Sequence, residues 1–176
     1  VLIWSSRSCG DADGSYTAPP GYFSILQRRE DATYVLTEPS GFQRFYRDDG
    51  RMIGHEDRFG NRMLFDYDAR GNLHRVIDVF GREIEFVFAT SRDGVDRLVS
   101  IRDFLGRKVV YEYDSRGDLV SVTTPAVTGT STGNDFPSGR TERYAYSNGF
   151  AQPELNHNIL NLTAPEEAAR RGPPKV

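Results

Sequence analysis

The chain has 176 residues, a formal net charge of −3 and 27% charged residues, a balance typical of soluble proteins. It shows neither the basic excess of a nucleic-acid footprint nor a polybasic membrane patch, so neither nucleic-acid binding nor membrane insertion is expected of it. Nine Tyr and eleven Phe against a single Trp favour strand surfaces over helical ones.

The opening residues, Val1-Leu-Ile-Trp4, are compatible with a short strand. Four apolar residues are too few for a signal sequence or a membrane span, and with no initiator Met the chain reads as a piece of something longer. Cys9 is the single cysteine, so no intrachain disulfide is possible, and no nearby His gives it a catalytic role. Asp11-x-Asp13-Gly14 invites a calcium reading, but the further oxygen ligands a calcium loop needs do not follow, and a tight turn explains it better. Pro19-Pro20-Gly21 predicts an extended segment and a turn. A strand over Tyr22–Arg28, a turn to Ala32 and a return strand over Thr33–Thr37 then make one hairpin.

From Glu38 the chain repeats itself. Residues 38–52 are a shortened copy in which Gly41 and Gly50 stand 9 apart, where Gly60 and Gly71 of the next copy stand 11 apart. The first strand of the short copy is therefore expected to lose about two residues. Full copies start at Asp57, Asp78 and Asp103: Asp57 to Asp78 is 21 residues, and Asp78 to Asp103 is 25 because residues 89–95 carry four extra, expected as an inserted loop in which Gly94→Val destabilises less than Gly71→Val or Gly117→Val. A fixed period of this size signals an array of supersecondary units.

Each copy carries two kinds of glycine. Asp68-Ala-Arg-Gly71 and Asp114-Ser-Arg-Gly117 predict type I turns closed by a left-handed glycine. Gly60, Gly81 and Gly106 follow an Asp-x-x spacer and are expected to mark the crossing from one hairpin to the next. Met63, Phe65 and Tyr67 alternate along one strand, as do Ile84, Phe86 and Phe88, and Val109, Tyr111 and Tyr113. Leu64, Asp66, Glu83, Glu85, Lys108 and Glu112 occupy the opposite, mostly charged face. The return strands space Leu73 and Val76, Leu98 and Ile101, and Leu119 and Val122 three apart, which predicts a β-bulge. After a small-polar loop over 126–138, Gly139 reopens the pattern, with Tyr144 and Tyr146 in the places of Tyr111 and Tyr113. An enlarged turn then leads to a final strand at Ile159. Glu166 onward reads as a short helix or frayed end.

Tyr67-Asp68-x-x-Gly71-Asn-Leu73 and Tyr113-Asp114-x-x-Gly117-Asp-Leu119, each preceded by an Asp-x-x-Gly crossing, resemble the YD-repeat or Rhs (rearrangement hotspot) family of polymorphic-toxin shells, Tc toxin C components and teneurins. The resemblance covers roughly residues 34–165. It implies an all-β fold of repeated antiparallel hairpins in a curved or spiralling sheet, part of a shell that encloses or presents a C-terminal toxin or effector, in a secreted or cell-surface protein. Its partners would be neighbouring repeats of the same polypeptide, an enclosed toxin, or glycans and cell-surface proteins. Two copies depart from the pattern, with Phe88-Ala-Thr and Tyr146-Ser-Asn in place of Tyr-Asp-x. The family's Asp-Pro self-cleavage dipeptide does not occur here, so neither autoproteolysis nor toxicity transfers.

The expected organisation is a lead-in (1–33), the array (34–165) and a tail (166–176). No catalytic, cofactor or metal residues are expected: His55, His74 and His157 fall in different copies, and no phosphate loop or nucleophile motif occurs. The residues expected to matter are those of the repeat: Gly60, Tyr67, Asp68, Gly71, Gly81, Gly106, Tyr111, Tyr113, Asp114, Gly117, Gly139, Tyr144 and Tyr146.

Overall fold

A computed structural model describes residues 15–163 except 17, 19 and 134. The readings made for Val1–Trp4, Cys9, the Asp11–Gly14 turn and the tail from Glu166 lie outside the described residues. The fold is all-β, with antiparallel strands that follow one another in chain order and one short 3₁₀ helix, Pro153–Leu155. The chain divides into two compact units, residues 1–83 and 84–176.

The first unit holds β1 (Ser15–Tyr16), β2 (Ile25–Arg28), β3 (Tyr34–Thr37), β4 (Gln43–Tyr46), β5 (Met52–Glu56), β6 (Arg62–Tyr67) and β7 (Leu73–Ile77). The clipped copy is as expected, with four residues in β4 against six in β6. The first hairpin is shorter than its sequence suggests, because Tyr22 and Phe23 stay outside β2. They follow the Gly21 turn (φ 87°), and among the described residues β1 pairs with Gln27 and Leu26 only. A cross-strand row of Val35, Phe45, Gly54 and Leu64 forms this unit's apolar centre. Val35 and Phe45 are about 5% exposed or less, and Phe45 lies between the guanidinium groups of Arg29 (5.2 Å) and Arg62 (4.7 Å). Gly54 is required by space, since a Cβ there would stand 2.8 Å from the Met63 carbonyl oxygen.

The second unit holds β8 (Glu83–Thr90, beginning at the boundary), β9 (Asp96–Arg102), β10 (Lys108–Tyr113), β11 (Leu119–Thr123), β12 (Thr141–Tyr146) and β13 (Ile159–Thr163). The four extra residues of this copy were expected as a loop. Instead they lengthen β8 and β9, and the turn at Ser91–Gly94 is an ordinary member of the series, with Gly94 at φ 79°.

Pairing keeps the expected faces together. Phe65 is opposite Val76 and Tyr67 opposite Leu73; Phe86 is opposite Ile101, Tyr111 opposite Val122 and Tyr113 opposite Leu119. The other face carries Asp66–Arg75 (2.6 Å), Glu85–Arg102 (3.0 Å) and Ser121 donating to Glu112 (2.5 Å). Phe45 and Leu64 are exceptions that place apolar bulk on this face in the first unit. The aromatic face is half-buried, while the small Ser100 and Ser121 are the most deeply covered side chains, shadowed by larger cross-strand neighbours.

The expected bulges are present. Tyr67 pairs with Leu73 and Asp66 with Arg75, which leaves His74 extra; Val99 and Val120 are extra in the same way. Ile53 and Leu160 extend the pattern to the first and last copies. The added residue returns Val76, Ile101 and Val122 to the face of Leu73, Leu98 and Leu119.

The two expected glycine classes share one backbone geometry. Gly60, Gly81 and Gly106 (φ 85°, 74° and 79°) and Gly71 and Gly117 (φ 87° and 89°) all donate to the carbonyl of the turn's first residue. In each turn the opening aspartate Oδ1 accepts the N–H groups two and four residues on. For Asp57 these are Phe59 (2.8 Å) and Asn61 (3.0 Å); for Asp68 they are Arg70 (2.9 Å) and Asn72 (2.8 Å). Asp78, Asp103 and Asp114 repeat the arrangement.

These bonds hold the turn carboxylates below their usual range. The backbone N–H of Arg51 and the flanking guanidinium groups take Asp49 to about 2, and the Arg97 guanidinium takes Asp93 to about 2. For Asp68 the main cause is the Asn72 N–H. Carboxylates depressed by folding stabilise the fold above the unfolded range and lose that contribution as pH falls through their folded values. The urea midpoint followed by far-UV circular dichroism is therefore expected to fall progressively between about pH 4 and about pH 2. An unchanged midpoint over that interval would rule out the carboxylate-held turn as a source of stability.

Candidate functional site: a clasp between hairpins

Identical turns do not by themselves explain why one set carries Tyr-Asp. The difference lies in what reaches across from the preceding hairpin. The Tyr67 hydroxyl donates to the carbonyl oxygen of Met52 (2.8 Å), and the Tyr113 hydroxyl donates to that of Leu98 (3.0 Å). Met52 and Leu98 each stand immediately before a bulged residue, Ile53 or Val99. Tyr67 and Tyr113 thus each tie their own hairpin to the bulge of the one before. Burial raises the Tyr113 hydroxyl above its ordinary range and outweighs the nearby Arg97, so this hydroxyl is kept as a donor.

An arginine completes the clasp. Arg51 and Arg97, directly before Met52 and Leu98, lie over the rings of Tyr67 (5.8 Å) and Tyr113 (5.9 Å) and cover the next turn glycines, Gly71 and Gly117. Arg97 Nε also donates to the Gly117 carbonyl (3.2 Å). Each arginine is held from its own turn: Arg51 by Asp49 (2.6 Å), and Arg97 by Asp93 (2.7 Å), whose hydrogen bonds raise the Arg97 guanidinium further above its ordinary range. The Arg97 side chain is only 15% exposed.

The remaining repeat residues fall as follows. Tyr111 is half-buried on the aromatic face opposite Val122. Tyr144 pairs with Leu162, and its hydroxyl donates to Glu142 (3.0 Å), which raises it; Tyr146 pairs with Ile159. Gly139 (φ 76°) closes the 125–138 loop against Thr124, and a Cβ there would run into the Thr124 carbonyl. The clasp brings Tyr67 together with Gly71, and Tyr113 with Gly117, whereas Gly60, Gly81 and Gly106 stand in turns with nothing over them. Asp49, Arg51, Met52, Asp93, Arg97 and Leu98 were not expected to take part. The available signal was an arginine directly before the first apolar residue of a return strand.

Among the described residues no group of three or more His, Cys, Asp or Glu is arranged to hold a metal ion. His55 lies on the aromatic face between Phe42 (5.1 Å) and Phe65 (5.8 Å).

The geometry defines a hairpin-repeat protein in which the β6–β7 hairpin and the β10–β11 hairpin are each fastened to the hairpin before. Residues 92–126 match the RHS Repeat family, and this segment is similar to an RHS repeat. That segment begins in the turn of the long hairpin and includes Asp93, Arg97, Leu98, Tyr113 and Gly117, one complete clasp. No curated protein matches the chain.

Gly94 is expected to be less sensitive than Gly71 and Gly117 as part of an inserted loop, but it shares their left-handed conformation. What separates the three is the arginine, since a side chain at Gly94 meets nothing within 4 Å. Gly94→Val is expected to cost about 1–3 kcal/mol through backbone strain alone. Gly71→Val and Gly117→Val should each cost at least about 1 kcal/mol more, for displacing the arginine. Equal shifts in urea midpoint for all three variants would show that the arginine cover is not a constraint.

Proposed function

We propose that this chain is a structural segment of a larger secreted or cell-surface YD-repeat protein, whose array (residues 34–165) forms part of a β-shell around a C-terminal toxin or effector. The recurrent clasp is the observation that supports this reading. Tyrosine hydroxyls, guanidinium groups and turn carboxylates, the groups an active site would use, are here spent in joining hairpin to hairpin. Neighbouring repeats of one polypeptide are the natural partners of such a unit, because each hairpin buries its face only against the next. The reading predicts that the parent gene encodes further Tyr-Asp-x-x-Gly copies, followed by a domain without them. In the full-length protein that domain should resist protease until the array is denatured. A parent protein whose C-terminal domain is cleaved as readily in the native state as in urea would overturn the shell.

A second reading, as a binding surface, is favoured by the turn tips. The third residue of every turn between β2 and β3, β4 and β5, β6 and β7, β8 and β9, and β10 and β11 is charged: Asp31, Asp49, Arg70, Asp93 and Arg116. At the intervening turns the same position holds Ser40, Phe59, Phe80 and Leu105, with exposures of 74%, 77% and 65% for the last three. Turn and exposure are alike, so the backbone does not require the apolar residues. Phe59 and Phe80 are among the most exposed aromatics of the described residues, whereas Tyr67 and Tyr113 are held in the clasp. A glycan array probed with the chain and with its Phe59→Ser/Phe80→Ser variant tests this reading. Signal present in the first and absent in the second supports it, and a clean negative for both removes it.

A further inference from the structure

The hairpin of β12 and β13 is joined to its predecessor by a different chemistry. Ser147 takes the place of Asp68 and Asp114: its N–H donates to the Asn158 carbonyl (2.9 Å), as theirs donate to Asn72 and Asp118, and its Oγ accepts the Asn158 N–H (3.2 Å). The enlarged turn therefore keeps the closing bonds of the short ones. It is braced within by Asn156, which bonds both backbone groups of Phe150 (3.1 and 3.0 Å). His157 stands two residues before Ile159, where Gly71 precedes Leu73 and Gly117 precedes Leu119. It donates its N–H to the Ser147 carbonyl (3.0 Å) and adopts the left-handed conformation of those glycines, φ 63°. On the preceding hairpin the residue directly before Leu119 is Asp118, where Arg51 precedes Met52 and Arg97 precedes Leu98.

The arginine-over-glycine clasp is thus replaced by a carboxylate facing an imidazole, with Asp118 Oδ1 2.7 Å from His157 Nδ1. The Asp118 side chain is 12% exposed, and its Oδ2 has no hydrogen-bond partner. The nearest other cation, Arg116, is 3.7 Å from that oxygen through Nε and is engaged by Asp114 at 2.7 Å. Asp114 and Arg116 are the charged groups facing the pair from the β10–β11 turn. Glu154, in the 3₁₀ helix, is the acid of the enlarged turn itself.

We propose that Asp118 and His157 form a proton-operated latch that fastens the turn 147–158 to the β10–β11 turn. Guanidinium is a permanent cation, whereas imidazole changes charge near neutrality. With the proton on, Nδ1–H donates to an anionic, largely covered carboxylate. When the proton leaves, the attraction of opposite charges goes with it, and a non-glycine residue remains in a backbone conformation that favours glycine.

Amide hydrogen exchange of the whole chain tests this, read as protection factors corrected for the intrinsic pH dependence of exchange. Between about pH 5.5 and about pH 8.5, protection of 147–158 relative to β9–β11 should fall about two- to fivefold, as for a partly exposed ion pair. His157→Gly restores the glycine of the other turns and should fold while abolishing this dependence; Asp118→Asn should abolish it as well. Relative protection that is the same at both pH values, or a dependence that persists in His157→Gly, would overturn the latch.

Discussion

An aspartate carboxylate held against two backbone N–H groups, beside a glycine in the left-handed conformation, is the interaction on which the array depends. Asp57, Asp68, Asp78, Asp103 and Asp114 each make it with residues inside the same turn. A charge-assisted bond over four residues forms without long loop closure. Once the turn is set, register follows, and register decides which face every following side chain takes, because a slip of one residue would exchange the faces. The aromatic stripe is a consequence of these turns, since its half-buried rings would not specify register unaided.

The bulge adds what the turn cannot. A regular hairpin would carry Val76, Ile101 and Val122 to the charged face; one extra residue returns them and puts the Met52 and Leu98 carbonyls where the next hairpin's tyrosine finds them. Two defects of ideal strand geometry, a left-handed glycine and an unpaired residue, are therefore complementary halves of one joint. Arg51 and Arg97 rest on the glycines because a hydrogen in place of Cβ leaves room for a guanidinium.

Those features legible in the sequence were the ones written locally. Asp-x-x-Gly spacing announces its turn, and apolar residues three apart in a return strand announce the bulge, since each signal lies within a few residues of its cause. The clasp was not legible, because Arg97 acts on a glycine 20 residues away and on a ring 16 residues away, and an arginine beside an aspartate reads as a solvated pair. Gly94 was misread for a related reason: extra residues in a hairpin look the same whether they make a loop or lengthen both arms, and only pairing distinguishes them. Tyr22 and Phe23 have strand composition but lie at the Gly21 turn, outside β2, which composition does not reveal. The equivalence of His157 with Gly71 was hidden by the residues inserted between Ser147 and His157, and closing hydrogen bonds, not spacing, restore it.

Repetition also indicates where function-specific chemistry is to be sought. In an array where each hairpin contacts its neighbours, stability is nearly a sum of like terms, and a residue that meets the common pattern needs no further explanation. Tyr67, Tyr113, Arg51 and Arg97 meet it, so their polar groups are accounted for by the joint they make. Phe59 and Phe80 do not, because the same turn elsewhere carries a charge at that position. Asp118 and His157 do not either, because they exchange the joint's permanent cation for one that titrates. The departures from the repeat, more than the repeat itself, therefore distinguish this segment from a generic wall of hairpins.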